Sequence, residues 1–169
     1  MRANKIIFLV ICIAFIGCKN PFSPALNQNP SSSSSLLSDL TTIDGVFQNF
    51  QYAYTFKDTI IYGQLISHDF TFTYIVYPDN YNVSWGRDEE MKTTYGLFQN
   101  TEKLDLIWDQ VVLSSVDSLT ANVVRAFNLT VTFNPTDVIT IDGRVDMDLR
   151  KDPSTQKWAI TQWTDESNF

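Results

Sequence analysis

The chain has little of the chemistry that builds metal and redox sites. It contains two cysteines, Cys12 and Cys18, and one histidine, His68, among 169 residues. Paired Cys or His ligands at zinc spacing are absent, and so are the glycine patterns of phosphate-binding and dinucleotide-binding loops. Ordinary zinc sites are therefore disfavoured, and we expect neither a metal nor an organic cofactor.

Basic residues are also few, with 12 Lys and Arg against 19 Asp and Glu, for a formal net charge of −7. The first 17 residues include Arg2 and Lys5 and no acids, so their removal would lower the net charge to about −9. An acidic surface repels nucleic acid and anionic lipid headgroups. We therefore expect no nucleic-acid partner and no membrane contact through the protein surface.

One long apolar run is present, at residues 6–16, and it follows the basic residues Arg2 and Lys5. The run is too short to cross a bilayer comfortably, because a spanning helix needs about 20 apolar residues. It fits a secretory signal peptide that ends at the small residue Gly17. An uncleaved anchor is the alternative, and the polar segment after Cys18 disfavours it.

The segment Phe15-Ile16-Gly17-Cys18 resembles the lipobox of bacterial lipoproteins, with Phe15 where leucine is usual. The resemblance implies a diacylglycerol on the Cys18 thiol and a fatty acid such as palmitate on its new amino group. Two or more acyl chains anchor a protein stably. Lys19 stands where an aspartate would be linked to inner-membrane retention, so we expect lipid anchoring in the cell envelope, at the outer rather than the inner membrane.

Three segments follow from this pattern. Residues 1–17 are the predicted signal peptide, and residues 18–36 are the predicted lipidated cysteine and flexible tether, rich in Ser, Asn and Pro. Residues 37–169 form the predicted folded domain. Cleavage before Cys18 leaves no second cysteine, so an apolar core must stabilise this domain without a disulfide.

Periodicity predicts helices early in the domain and strands later. Apolar residues at steps of three and four predict a helix over residues 41–55, capped at Thr41. Asp58 marks the predicted start of a second, short helix, and Ser84 is the predicted N-cap of a third helix over residues 85–98.

Alternating apolar and polar residues predict the strands. They begin after the second helix, at residues 70–77, and return in four long segments at residues 104–115, 122–133, 138–150 and 157–165. The turns between consecutive segments indicate antiparallel hairpins. Helices followed by such hairpins predict an α+β fold with separate layers.

The whole pattern resembles the nuclear transport factor two-like superfamily, also called SnoaL-like or cystatin-like cone. The segments that carry the likeness are KDTIIYGQLISHDFTFT (57–73), WGRDEEMKTTYGLF (85–98) and KWAITQWTDE (157–166). The resemblance implies three N-terminal helices packed in a curved antiparallel sheet, a cone-like α+β barrel with a cavity. Members include isomerases, cyclases, dehydratases, transport adaptors and binding domains, and many form homodimers, so the likeness alone licenses no activity.

The resemblance also implies where a catalytic group would lie, because enzymes of this superfamily place a carboxylate or histidine in the cavity as a general base. The weak candidates are His68, Asp69 and Asp146. His68 and Asp69 stand where polar turn residues are expected, which favours a structural role. Asp146 alternates with Val145, which needs burial, so an outward orientation is favoured over a cavity position.

Large side chains along the predicted helices and strands are candidates for the cavity lining: Phe50, Tyr54, Trp85, Trp108, Arg125 and Trp163. Aromatic rings fill cores as readily as they line pockets, and the sequence does not separate the two. Arg125 would be an anion ligand if it pointed inward, and a rim residue otherwise.

Two functions from different classes remain. The preferred hypothesis is a non-catalytic envelope lipoprotein whose domain binds a small apolar ligand or an envelope protein. The alternative is a lipid-anchored SnoaL-like isomerase or hydro-lyase that uses a cavity His or Asp as general base. A cavity that holds a titratable side chain with a second hydrogen-bond donor nearby would favour the alternative.

Overall fold

The computed structural model describes residues 37–76 and 81–167. The predicted signal peptide, Cys18 and the tether lie outside these residues. The elements in chain order are α1 (Ile43–Phe56), α2 (Thr59–Leu65), β1 (Ile66–Val76), β2 (Tyr81–Gly86), α3 (Arg87–Asn100), β3 (Lys103–Val116), β4 (Thr120–Asn134), β5 (Asp137–Lys151) and β6 (Trp158–Asp165). The predicted α+β class is confirmed. Within the described ranges, no helix has the length and apolar character needed to span a membrane.

Side-chain caps fix where the first two helices begin, and a residue with left-handed backbone fixes where α1 ends. Thr42, not Thr41, caps α1, because its Oγ1 accepts a 3.0 Å hydrogen bond from the Gly45 N–H. Lys57 ends α1 in the left-handed region at φ 54°. Asp58 then caps α2 as predicted, since its Oδ1 accepts from the N–H groups of Ile60 and Ile61, each at 2.9 Å.

The start of the third helix differs from the prediction. Ser84 lies in β2, opposite Thr73 of β1, and α3 begins at Arg87 after an N-cap Gly86 that makes no side-chain cap bond. Trp85, which follows Ser84 in β2, stacks on Phe72 of β1 with ring centroids 4.5 Å apart. This cross-strand pair, with Phe72 buried and Trp85 half-buried, outweighs the local preference of Ser84 for a helix cap, since cross-strand packing overrides propensity.

The six strands form one sheet in the order β2-β1-β6-β5-β4-β3. Every neighbouring pair is antiparallel except β1 and β6, which pair in parallel. The expectation of a fully antiparallel sheet was therefore wrong at this one pair. Hairpin turns specify only neighbours in sequence, whereas β1 and β6 are the first and last strands and meet through the tertiary fold. The helices also do not all precede the sheet, because β1 and β2 lie between α2 and α3.

The sheet curves around the helices. If the sheet were flat, its six strands, spaced about 4.8 Å apart, would place the two edge strands about 24 Å from each other. Yet Trp85 of the edge strand β2 and Trp108 of the opposite edge strand β3 line the same cavity. Register shifts in β1 and in β3 mark places where the strands bend. The result is the cone that the resemblance implied.

The inner face of the sheet carries the core. Val145, Met147 and Leu149 of β5 are each at most 2% exposed and point inward. Asp146 alternates with them on the outer face, where its Oδ1 accepts a 2.6 Å hydrogen bond from Asn122. The outward orientation favoured by the alternation therefore agrees with the structure. Tyr62, Phe50 and Phe98 are the largest fully buried side chains and fill the space between the helices.

Candidate functional site

A cavity of about 260 Å³ lies between the helices and the inner face of the sheet. Residues from α1, α3 and all six strands line it. Seven are aromatic and five are aliphatic: Phe50, Tyr54, Phe72, Trp85, Trp108, Phe127, Trp163, Leu97, Leu106, Leu129, Ile141 and Val145. Five are polar: Glu90, Thr93, Thr94, Asp165 and Ser167. An apolar concavity with a few converging polar groups is the usual form of a small-molecule site.

Aromatic contacts hold the cavity walls in place. Trp163 meets Phe72 edge-on, with centroids 5.0 Å apart and planes at 83°, and meets Phe50 at 5.5 Å and 74°. Phe50 also packs against Trp108 at 5.5 Å and 65°. Each such pair contributes about 0.5–1.5 kcal/mol beyond the area it buries. Because neighbouring rings are steeply inclined, the walls present both ring faces and ring edges.

Glu90 is a buried carboxylate in the cavity wall, with 4% of its surface exposed. Its Oε1 accepts hydrogen bonds from the Tyr62 hydroxyl at 2.6 Å and from the Thr94 hydroxyl at 2.9 Å. Its Oε2 accepts from Trp85 Nε1 at 2.7 Å. Charged side chains are almost never buried unless partnered, and here three neutral donors satisfy both oxygens. Through these hydrogen bonds Glu90 connects its own helix, α3, to Tyr62 of α2 and to Trp85 of β2.

Asp165, at the end of β6, is the second carboxyl of the cavity. Burial raises the pKa of this carboxyl above its ordinary value, and hydrogen bonding by Ser167 partly offsets the rise. The Ser167 N–H donates to Asp165 Oδ1 at 2.9 Å. Among the described residues that line the cavity there is no Lys, Arg or His. The charged side chains of the cavity lining are therefore all acidic.

Tyr54 places a phenol in the cavity wall, within the electrostatic field of both acids. Burial raises the pKa of the Tyr54 hydroxyl far above its ordinary value, and the negative charges of Glu90 and Asp165 raise it further. The hydroxyl therefore keeps its proton at any physiological pH and serves as a hydrogen-bond donor. A carboxyl with a raised pKa and a phenol that line the same cavity are groups that can accept a proton and stabilise an oxyanion.

The three catalytic candidates from the sequence lie outside the cavity. His68 and Asp69 belong to β1 and not to a turn, because β1 begins at Ile66. The His68 side chain is 90% exposed. Asp69 accepts two hydrogen bonds from Arg150 Nη2, at 2.7 and 2.8 Å. Asp146 is on the outer face of β5, so none of the three reaches a ligand in the cavity.

Five of the six lining candidates, Phe50, Tyr54, Trp85, Trp108 and Trp163, do line the cavity. Arg125 lines a separate hollow of about 410 Å³ beside the start of α1. Its guanidinium carbon lies 5.1 Å from the Phe47 ring centroid, and its Nε donates to the Asp109 carbonyl at 3.0 Å. The guanidinium carbon also lies 5.8 Å from the Trp108 ring centroid, and stacking on these two rings suits a planar cation. Arg125 does not line the aromatic cavity.

Two carboxyl side chains of the cavity, Glu90 and Asp165, are not among the residues that the sequence predicted for it. Glu90 lies in the first turn of α3, where acids favour the helix dipole, so its position in the sequence gives no sign that it is buried. Asp165 follows Trp163 by two residues on one strand, so the two share a face. That spacing is the feature of the sequence that could have predicted a cavity position for Asp165. Across the described part of the chain, no group of three or more His, Cys, Asp or Glu could hold a metal ion.

Comparison with known proteins defines the class of fold. No family model and no curated protein matches the chain. A conserved protein from Planctomyces limnophilus matches with a TM-score of 0.65 and 14% identity, over 75% of this chain and 93% of that one. A candidate dehydratase of the NTF2-like family from Streptomyces avermitilis matches with a TM-score of 0.61 and 18% identity, over 78% and 96%.

A third similar structure is an NTF2-like superfamily protein from Salmonella enterica, with a TM-score of 0.58 and 15% identity over 73% of this chain and 87% of that one. The described domain therefore has the NTF2-like, or SnoaL-like, fold. Identities of this size establish the fold and carry no activity, since this fold serves many functions.

Proposed function

We propose that the chain is a lipid-anchored protein of the cell envelope whose domain binds a small, largely apolar molecule in the cavity. The observation that carries the proposal is the cavity itself, which is hollow and lined by twelve apolar and five polar residues. Its volume of about 260 Å³ is below the roughly 300–1,000 Å³ typical of drug-sized ligands. A ligand of one or two rings fits this space.

A cavity-filling variant tests the binding function. Ile141→Trp would place a large ring in the cavity wall, whereas Val138→Trp, on the same strand, adds that ring at an exposed position. Thermal-shift measurements against a panel of one- and two-ring compounds should find stabilising ligands for the native protein and for Val138→Trp, and none for Ile141→Trp. Equal stabilisation of all three proteins would place binding elsewhere.

The anchoring part of the proposal rests on the basic start, the apolar run at residues 6–16 and the Gly17-Cys18 junction. Metabolic labelling with an alkyne fatty acid should label the native chain and leave Cys18→Ala unlabelled. Cys12→Ala is the matched control, because Cys12 lies inside the segment that is removed. Membrane fractionation of the labelled protein distinguishes the proposed outer membrane from the inner one.

A protein partner, including a second copy of the chain, is the other binding mode proposed. Val112, Leu113 and Val116 of the edge strand β3 are 50%, 57% and 58% exposed. Exposed apolar side chains on an edge strand favour association with another chain. Analytical ultracentrifugation of the lipidated protein in nanodiscs, with Leu113→Lys for comparison, tests whether a homodimer forms through this edge.

A second candidate function is an isomerase or hydro-lyase, and Asp165 is the observation that favours it. Its raised pKa suits a general base, and Tyr54 offers a donor for a developing oxyanion. Asp165 would remove a proton next to a substrate carbonyl while Tyr54 donates to the carbonyl oxygen. Proton–deuterium exchange at the α-carbon of small cyclic ketones, followed by NMR, should occur with the native protein and be lost in Asp165→Asn.

A further inference from the structure

The charge of the cavity narrows the class of ligand. Building on the proposed ligand-binding function, we propose that the cavity binds a small organic cation, an amine or quaternary ammonium attached to a one- or two-ring apolar body. The inference rests on two separate features of the lining, which are its acids and its aromatic rings.

The acids have no cationic partner among the described residues. The nearby arginines are engaged elsewhere: Arg144 pairs with Glu166 at 3.4 Å, and Arg87 donates to the Gly63 carbonyl at 3.0 Å. Glu90 and Asp165 therefore bring acidic groups, without a counter-ion, into an apolar enclosure. Two acids in a low-dielectric site repel an anionic ligand and attract a cationic one.

The two acids contribute differently. Both Glu90 oxygens already accept hydrogen bonds from Tyr62, Thr94 and Trp85, so Glu90 acts on a ligand through its electrostatic field. Asp165 Oδ1 accepts a hydrogen bond from the Ser167 N–H, and among the described residues Ser167 is the only one whose hydrogen bonds lower the Asp165 pKa. Because Asp165 lines the cavity and has fewer partners than Glu90, its carboxylate is the group that would contact the ligand's nitrogen or the methyl groups around it.

The aromatic rings supply the second half of the argument. Ring faces carry negative electrostatic potential, tryptophan most of all, and boxes of such rings bind quaternary ammonium groups in water-poor sites. Trp85, Trp108 and Trp163 line the cavity together with four other rings. A neutral apolar ligand would use the same burial but would gain nothing from the two acids, whereas a cation interacts favourably with the acids and with the rings.

A pair of probes that differ only in charge tests this inference. The probes are (4-hydroxyphenyl)trimethylammonium and 4-tert-butylphenol, which have nearly the same shape. Binding to the full lipidated protein in phosphatidylcholine nanodiscs is measured by calorimetry, and empty nanodiscs are measured in parallel to subtract partitioning. We expect the ammonium to bind at least tenfold more tightly than the phenol, a preference of about 1.4 kcal/mol.

Variants locate the origin of the preference. Asp165→Asn keeps an oxygen for the Ser167 N–H but removes the charge, so it should abolish most of the preference, whereas Asp146→Asn on the outer face should keep it. The comparison of the two probes on the native protein stands even if Asp165→Asn does not fold.

Each outcome separates the two proposals. If both probes bind equally and Ile141→Trp blocks both, the cation inference fails and the ligand-binding function stands. If the preference survives in Asp165→Asn, the preference does not come from the proposed contact and the inference fails. If neither probe binds above empty nanodiscs, the inference fails, and the proposed function fails with it for single-ring ligands.

Discussion

The Tyr62 hydroxyl donates a 2.6 Å hydrogen bond to Glu90 Oε1, and this contact joins α2 to α3 beside the cavity. Both residues are buried, with Tyr62 fully enclosed. The bond connects residues 28 positions apart, so it exists only in the folded state. Because it orients the Glu90 carboxylate, it also determines how negative charge is presented to the cavity.

Tyr62→Phe removes this donor while keeping the ring. We expect a loss of about 1–3 kcal/mol in the free energy of unfolding, because a buried acceptor loses one of its partners. Urea denaturation followed by tryptophan fluorescence measures it. Tyr95→Phe on the exposed face of α3 is the matched control and should change stability by less than about 0.5 kcal/mol. Equal effects in the two variants would show that the bond contributes nothing.

Asp165 makes stability depend on pH. Its pKa is raised in the folded state, so the folded protein binds more protons than the unfolded chain between the ordinary value of 3.8 and the raised value. Stability therefore falls as pH rises through this window. Asp165→Asn removes the effect, so its stability relative to the native protein should improve from pH 3 to pH 7.

Denaturation curves at pH 3, 5 and 7 measure this trend for Asp165→Asn. Asp146→Asn on the outer face serves as the control and should show no such trend. A stability difference between Asp165→Asn and the native protein that is independent of pH would contradict the assigned direction of the shift.

Arg150 and Asp69 form the clearest ion pair on the outer surface. Hydrogen bonds from Arg150, and then from Ser67, lower the pKa of Asp69 to about 2. In Arg150→Ala the Asp69 pKa should rise toward 3.8, as NMR titration of the carboxyl carbon would show. Asp152 is an internal control, because Ser154 and Thr155 hold its pKa at about 2 without Arg150.

The linkage has the opposite sign to that of Asp165. A depressed pKa adds stability above pH 3.8 that is lost as pH falls through about 2, so Arg150→Ala should flatten the acid end of the stability profile. An Asp69 pKa that does not move in this variant would show that Ser67 and the local backbone determine it.

The sequence predicted the parts of this protein that local chemistry determines. Asp58 caps α2 because its carboxylate lies next to its own helix, and Val145 points inward because alternation requires it. The strand β2, in contrast, forms because Trp85 meets Phe72 from another strand, and Ser84 gives no hint of this. The correct predictions depend on residues that are close in sequence, whereas the missed strand depends on a contact between residues of two different strands.

The candidate site shows the same contrast between local patterns and contacts made by separate elements. Aromatic residues of the cavity could be identified because few other positions suit such large apolar side chains. Glu90 could not, because its burial depends on Tyr62 and Trp85, which are brought to it by two other elements. Catalytic candidates chosen by residue type alone, such as His68, were placed by the fold on the outer surface.

Gly143 of β5 lies against Ser167, the residue that hydrogen-bonds to Asp165 in the cavity. A Cβ at this position would lie 2.6 Å from Ser167 Cβ, 2.7 Å from Ser167 Cα and 3.2 Å from the Phe127 ring. Gly143→Ala must therefore displace the Ser167 backbone, and overpacking of this kind costs about 1–3 kcal/mol. Displacement should also lengthen the hydrogen bond from the Ser167 N–H to Asp165.

Because that bond lowers the Asp165 pKa, we expect Gly143→Ala to raise this pKa further as well as to destabilise the fold. NMR titration of Asp165 and urea denaturation measure the two effects. Gly96→Ala is the matched control, since a Cβ there meets nothing within 4 Å and should stabilise α3 by about 0.5–1 kcal/mol. If Gly143→Ala lowers stability without moving the Asp165 pKa, then the Ser167 backbone moves without weakening its hydrogen bond to Asp165, and packing at Gly143 does not control the Asp165 pKa.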